Sequence, residues 1–128
     1  MKQKILIVED DAILRTALEH KLERLEYEVV VAGDGKEGLD VFVNERPDAI
    51  VLDIMLPEKD GADLLEDIRA LPEGKDTPVV VLTNADDLGY VARTTNSNVE
   101  AYLVKSDQSL DQVVTFLEKK LRLAQPGS

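Results

Sequence analysis

Residues 50–57 read Ile-Val-Leu-Asp-Ile-Met-Leu-Pro. This short apolar run lies between Pro47-Asp48 and Pro57, and it predicts a buried strand that ends at Asp53. The strand would hold the stem of this acid in place while its carboxylate oxygens face solvent, a metal ion or a substrate. We therefore expect the functional site to form around the end of this strand.

The composition limits the classes of protein to consider. The chain has 128 residues, 44% of them hydrophobic, which is enough for one domain with one core. The net charge of -11 argues against direct binding of nucleic acid, and the absence of cysteine excludes disulfides and thiolate metal sites. No apolar run approaches the length of about 18 residues that spans a bilayer, and the N-terminus lacks a signal-peptide pattern. We expect a soluble, cytoplasmic protein without membrane association.

Apolar runs and amphipathic patterns alternate along the rest of the chain. Strands are predicted at residues 4–8, 29–32, 79–82 and 101–104, and helices at about 12–25, 35–46, 61–71, 85–95 and 110–124. Asp11 is the expected N-cap of the first helix, and Ser109 with Gln112 forms a capping box for the last. Gly89 and several β-branched residues make the fourth helix the least stable. The pattern predicts an α/β fold over residues 1–124, with five parallel strands, five helices on both faces and a disordered tail at 125–128.

Polar side chains follow four of the predicted strands. In a parallel sheet the carboxyl ends of the strands meet at one edge, which would bring together Glu9, Asp10, Asp53, Thr83 and Lys105. Three neighbouring acids repel one another, and a hard cation such as Mg²⁺ relieves that repulsion. A carboxylate beside such a cation can act as a nucleophile toward phosphorus, forming an aspartyl phosphate. The lysine and the threonine would then bind phosphoryl oxygens.

Over about residues 4–123 the chain resembles the receiver domain of two-component response regulators. The resemblance rests on ILIVEDD at 5–11, DIMLP at 53–57 followed by Asp60-Gly61, VLT at 81–83 and YLVK at 102–105. It implies a flavodoxin-like, doubly wound sheet with strand order 2-1-3-4-5. It also implies a signalling domain of a two-component system that is not a turnover enzyme.

The same resemblance implies roles for the acidic residues. Asp53 would accept a phosphoryl group from the phosphohistidine of a histidine kinase or a histidine phosphotransfer protein. Mg²⁺ would be bound by Asp10, Asp53 and the main-chain carbonyl of Met55, while Glu9 would act on the metal through water. The domain would catalyse its own phosphorylation and its autodephosphorylation.

The remaining implied roles concern signal output. Thr83 and Tyr102 would form the switch pair, and Lys105 would contact the phosphate. The added charge would pull the switch pair inward and alter a surface made by the fourth helix, the fifth strand and the fifth helix. That surface would bind a downstream protein target, with the chain acting as a monomer or as a phosphorylation-dependent homodimer.

Besides Gly89, whose position in the fourth helix would shift the surface that partners usually read, two residues depart from the family pattern. Ser106 replaces the proline that usually follows the lysine, and a cis bond before a non-proline residue costs about 2.5–4 kcal/mol, which favours a trans bond and a changed aim for Lys105. Asn84 follows Thr83 where the family favours a small residue. These departures leave open an alternative function, a binding module of the same fold that is independent of phosphate.

A glycine motif and the single histidine suggest weaker alternatives. Residues 33–38 satisfy the GxGxxG pattern of dinucleotide-binding enzymes. However, the motif follows the second strand, and Asp34 and Glu37 would meet the pyrophosphate. A phosphatase of the haloacid-dehalogenase type would need an acid where Met55 stands. His20 falls outside the leucine stripe of the first helix, so we expect it to be exposed and not a phosphoryl donor.

Overall fold

The computed structural model describes residues 2–83, 99, 101–105 and 110–124. A single sheet contains five strands, β1 (Lys4–Val8), β2 (Glu28–Ala32), β3 (Ala49–Asp53), β4 (Val79–Thr83) and β5 (Ala101–Val104). Every neighbouring pair is parallel, and the strand order is β2-β1-β3-β4-β5. This is the flavodoxin-like order that the resemblance implied.

Within the described residues, a helix follows β1, β2, β3 and β5, as predicted. They are α1 (Ala12–Arg24), α2 (Gly35–Glu45), α3 (Gly61–Ala70), a 3₁₀ turn (Pro72–Gly74) and a C-terminal helix (Leu110–Ala124). Asp11, Asp34 and Asp60 cap the first three helices, each accepting backbone N–H groups of the first turn. These bonds satisfy donors that have no partner within the helix. The N-cap predicted at Asp11 is confirmed.

Some predictions fall outside the described residues. They concern the fourth helix at 85–95, the capping serine Ser109, the tail at 125–128 and the two departures Asn84 and Ser106. Within residues 2–83 and 110–124, no helix combines the length and the apolar composition that crossing a membrane requires.

The sheet is covered on both faces, and alternate residues of each strand serve opposite layers. On one face Ile7 and Val51 pack against α1 and the C-terminal helix, whose buried residues include Leu18 and Leu117. On the other face lies a second cluster, formed with α2 and α3 by Leu6, Val8, Leu52, Phe42, Leu64 and Ile68. Burying one such side chain stabilises the fold by about 1.5–3 kcal/mol. Because all five residues of β3 are buried, this central strand fixes the position of Asp53.

Candidate phosphoacceptor and metal site

The register of the central strands brings the predicted acids together. Val8 is paired with Leu52. The residues that follow them, Glu9 and Asp53, therefore lie side by side at the carboxyl edge of the sheet. The Glu9 N–H donates to the Ala32 carbonyl at 3.0 Å, which extends the sheet by one residue past Val8. The position of Glu9 is therefore set by backbone pairing.

Glu9, Asp10 and Asp53 form one acidic cluster. Each offers a carboxylate oxygen, and these oxygens all lie within 4.8 Å of one another. Glu9 is 1% exposed and Asp53 is 3% exposed, whereas Asp10 faces solvent. The cluster therefore has two buried acids in its floor and one exposed acid at its opening.

Lys105 reaches into this cluster. Its Nζ donates to Asp53 Oδ2 at 2.9 Å and lies 2.8 Å from Glu9 Oε1, an ion-pair distance that lacks hydrogen-bond geometry. The Lys105 N–H donates to the Thr83 carbonyl at 2.8 Å, which holds the end of β5 beside β4. The side chain is thus directed at Asp53. The Lys105–Ser106 bond itself includes a residue outside the described ranges.

Burial dominates the electrostatics of Glu9. It raises the pKa of Glu9 to about 8, with a further increase from Asp53 and an opposing effect of Lys105. Burial also opposes the charge of Lys105, but its interactions with the carboxylates of Glu9 and Asp53 outweigh that effect and raise the pKa of the ammonium group. The positive charge of one lysine therefore neutralises the negative charge of the acidic cluster only in part.

The oxygens present suit a divalent cation. Glu9 Oε1 is the buried side-chain oxygen for which the described part of the chain supplies no hydrogen bond. It lies beside two further carboxylates, and carboxylate oxygens are the ligands that hard cations prefer. Positive charge here would offset both the burial and the repulsion from Asp53 that raise the pKa of Glu9. The acidic cluster has the donor chemistry of a divalent-metal site.

The other predicted residues lie around Asp53. Met55 is 39% exposed, and its N–H donates to Asp53 Oδ1 at 3.1 Å. Thr83 is 1% exposed at the end of β4, and Tyr102 is paired with Val81 on the neighbouring strand. Since Thr83 lies two residues after Val81, Thr83 and Tyr102 belong to the same face of the sheet. The structure therefore places the predicted switch pair on adjacent strands.

One basic residue beside the site, Arg15, was not predicted from the sequence. Arg15 Nη1 donates to the main-chain carbonyl of Glu9 at 2.8 Å. This bond ties α1 to the loop that carries the acids. The only available signal was the position of Arg15 one turn after the acidic run, which is also typical of a solvated helix residue. His20 is exposed, as expected.

Other parts of the chain fill the space beside two glycines of the GxGxxG motif. A Cβ on Gly35 would meet the Lys59 carbonyl oxygen at 1.7 Å, and one on Gly38 would meet Leu64 and Val8. Asp34 already accepts the N–H of Glu37 at the start of α2. The close backbone approach that glycines allow is thus used for packing within the chain, and the dinucleotide hypothesis gains no support.

Comparisons with known proteins agree with this geometry. Response regulator MprA of Mycobacterium sp. (strain KMS) is 35% identical over 126 residues, covering 98% of this chain and 54% of MprA. The chain thus spans about half the length of the curated relatives it matches. A CheY-like receiver domain protein from Methanospirillum hungatei JF-1 is similar in structure, with a TM-score of 0.86, 28% identity and coverage of 95% of each chain.

A second solved structure concerns the metal. The receiver domain of sensor histidine kinase PA1611 from Pseudomonas aeruginosa PAO1 has a TM-score of 0.83 and 29% identity, with 94% of this chain and 98% of that one covered. That structure has a magnesium ion coordinated in its active-site cleft. The family model described as response regulator receiver domain matches residues 5–117. Strand order, acidic cluster and sequence similarity agree: this chain belongs to the response regulator receiver domains, which are signalling domains and not metabolic enzymes.

Proposed function

We propose that this domain is a phosphoacceptor in which Asp53 takes a phosphoryl group from a phosphohistidine. The observation that carries the proposal is the position of Asp53, whose buried carboxylate lies between two further acids and the ammonium group of Lys105. The donor would be a histidine kinase or a histidine phosphotransfer protein. We expect the exchange to take place in the cytoplasm.

In the proposed step, an Asp53 carboxylate oxygen forms a bond to phosphorus while the phosphorus–nitrogen bond of the donor breaks. The electron pair of that bond leaves with the imidazole, which takes up a proton. Lys105, 2.9 Å from Asp53 Oδ2, would neutralise charge on the phosphoryl oxygens, and Thr83 would donate a hydrogen bond to one of them. Attack by water on the phosphorus would later return Asp53, which is the proposed autodephosphorylation.

We assign Mg²⁺ to the acidic cluster as the required cation. Asp10, Asp53 and the main-chain carbonyl of Met55 would hold it, and Glu9 would act through a bound water. When present, the cation supplies positive charge that offsets the repulsion between carboxylates and incoming phosphate. Glu9 Oε1 supports the assignment, because this buried oxygen has an ion pair with Lys105 but no hydrogen bond, and a buried carboxylate oxygen without a hydrogen bond is costly.

Output would follow from the new charge at Asp53. A phosphoryl group adds a charge of about -1.5 to -2 and three acceptor oxygens, to which a nearby hydroxyl can donate a hydrogen bond. Thr83 lies at the same sheet edge, and Tyr102 shares its face of the sheet. Their coupled movement would alter the surface that a downstream protein target binds.

Incubation with acetyl phosphate and Mg²⁺, followed by intact mass, tests the proposal. The parent protein should gain one phosphoryl group, and the gain should disappear with EDTA and in Asp53→Asn. Asp48→Asn is the matched control, because Asp48 is exposed at the opposite end of β3 and contacts the Lys4 N–H. It should be phosphorylated like the parent. Equal mass gain in Asp53→Asn would refute the assignment of Asp53, and no gain in the parent would favour the phosphate-independent binding module.

A further inference from the structure

Gly35 approaches the loop between Asp53 and Gly61 more closely than any side chain would allow. A Cβ at this position would lie 1.7 Å from the Lys59 carbonyl oxygen and 2.6 Å from the Lys59 carbonyl carbon. Both atoms belong to the backbone, so no rotamer change can relieve the clash. Any residue other than glycine would push α2 and this loop apart.

The other two glycines of the motif differ from Gly35 in what surrounds them. A Cβ on Gly33 would have one neighbour, the flexible Arg15 Nη1 at 3.4 Å, which is ordinary contact. A Cβ on Gly38 would lie 2.9 Å from Leu64 Cδ2 and 3.1 Å from Val8 Cγ1, both side-chain atoms of the core. Thus Gly33 meets only a flexible side chain at ordinary contact distance, Gly38 serves core packing, and Gly35 alone of the three contacts the loop backbone.

The contacted loop carries groups that hold Asp53. The Met55 N–H donates to Asp53 Oδ1 at 3.1 Å, and the Gly61 N–H donates to the Ile54 carbonyl at 2.8 Å. In the middle of the loop, the Pro57 carbonyl accepts the Gly35 N–H at 3.3 Å. The loop is therefore fixed by α3 at one end and by the start of α2 near its centre.

We propose that Gly35 is a positioning residue for Asp53 and for the metal site beside it. The inference rests on the proposed function and adds a residue that touches neither metal nor phosphate. By allowing α2 to seat against Lys59 and Pro57, Gly35 sets the position of the Met55 backbone. That backbone orients Asp53 through its N–H and supplies the proposed carbonyl ligand.

Three glycine-to-alanine variants separate this role from simple packing. Gly35→Ala should bind Mg²⁺ about tenfold more weakly in calorimetry, because misplacing the groups that orient metal ligands costs 10–100-fold in affinity. Its phosphorylation by acetyl phosphate should slow at limiting Mg²⁺ and recover in large part at saturation. Gly33→Ala should match the parent in both measurements. Gly38→Ala should unfold at lower urea concentration yet bind Mg²⁺ with the parent's affinity.

Equal Mg²⁺ affinity in Gly35→Ala and Gly33→Ala, in a parent that binds Mg²⁺ and is phosphorylated, would overturn the role of Gly35 and leave the proposed function intact. A parent that neither binds Mg²⁺ nor gains a phosphoryl group would refute the proposed function itself. An equal loss of affinity in Gly38→Ala and Gly35→Ala would also count against Gly35, since packing damage alone would then suffice.

Should Gly35→Ala fail to fold, amide NMR on the unaltered protein still decides the question. Titration with Mg²⁺ should shift the amides of Met55 and Gly35 together and slow hydrogen exchange at Gly35, whose N–H is bonded to Pro57. The Gly33 amide should change far less. A shift at Met55 without any response at Gly35 would contradict the proposal.

Discussion

Two lysine–carboxylate clusters lie at opposite ends of the sheet and differ mainly in burial. At the amino end, Lys4 Nζ lies 3.1 Å from Glu45 and 3.4 Å from Glu28, whose side chains are 42% and 53% exposed. At the carboxyl end, Lys105 lies at similar distances from Glu9 and Asp53, whose side chains are 1% and 4% exposed. We call these the amino-end and carboxyl-end clusters.

The difference shows how a protein makes reactive acids from common residues. At the amino end, hydrogen bonding to Glu45 raises the pKa of Lys4, which keeps the lysine in its usual charged form. At the carboxyl end, burial instead raises the pKa of Glu9 and leaves one of its oxygens without a hydrogen bond. Solvated charges stabilise the fold weakly, whereas buried ones provide a site for a cation or a phosphoryl group.

The largest difference is expected between the two lysines. Lys105→Met should slow phosphorylation by acetyl phosphate about 100-fold at saturating Mg²⁺, because loss of one charged donor to a developing oxyanion costs about that much. Lys4→Met should leave the rate unchanged. The measurement is the rate of mass gain, and similar rates for the two variants would show that burial gives Lys105 no special role.

Glu9 and Glu45 should differ in how they make the stability of the domain depend on pH. With EDTA present, the raised pKa of Glu9 means that the folded state keeps a proton that the unfolded state releases, so stability should fall as pH rises from 4.5 through about 8. Glu9→Gln should remove this fall and stabilise the domain by about 1–2 kcal/mol at the upper end. Glu45→Gln should do neither. Urea unfolding at several pH values provides the test, and identical profiles for the parent and Glu9→Gln would contradict it.

The neighbouring acids Asp11 and Asp10 should differ in role, the first stabilising the fold and the second binding Mg²⁺. Asp11→Ala should cost about 1 kcal/mol of stability, because Asp11 Oδ1 accepts the N–H groups of Ile13 and Leu14, while Mg²⁺ affinity is kept. Asp10→Ala should instead weaken Mg²⁺ binding without this loss of stability. Urea unfolding and Mg²⁺ calorimetry on both variants measure this, and a loss of Mg²⁺ binding in Asp11→Ala alone would reverse the assignment.

The smallest effect is expected at the amino-end cluster itself. Lys4→Met should destabilise the domain less than Asp11→Ala does, because its partners Glu28 and Glu45 are solvated. Salt should reduce the effect further by screening. A loss of stability as large as that of Asp11→Ala, persisting at high salt, would mean that the two clusters differ less than their burial indicates.

Much of this fold could be predicted from the sequence because its strands are continuous apolar runs. The bounds of β1 and the end of β3 match the prediction, and β2 and β4 each differ by one residue. The convergence of the acids followed from one rule, that parallel strands share a carboxyl edge. Local patterns and a single topological rule were therefore sufficient for the architecture and for the acidic cluster.

What the sequence did not reveal depends on contacts between distant segments. Glu9 and Asp10 are adjacent acids, yet only the packing of β1 against β3 decides that the first is buried and the second exposed. The contact of Gly35 with Lys59 joins residues on different crossovers. Leu25, included in the predicted first helix, instead lies just after α1 and is 45% exposed.

On the proposed function, the carboxyl-end cluster is a group of mutually repelling acids that binds a divalent cation. The most direct test of this claim is the free energy of unfolding of the parent and of Asp53→Asn as Mg²⁺ is added at constant ionic strength. The parent should gain about 1.4 kcal/mol for each tenfold increase of Mg²⁺ above its dissociation constant, and Asp53→Asn should gain far less. If the stability of the parent does not change with Mg²⁺, or if it rises equally in the variant, the cluster does not bind the cation through Asp53.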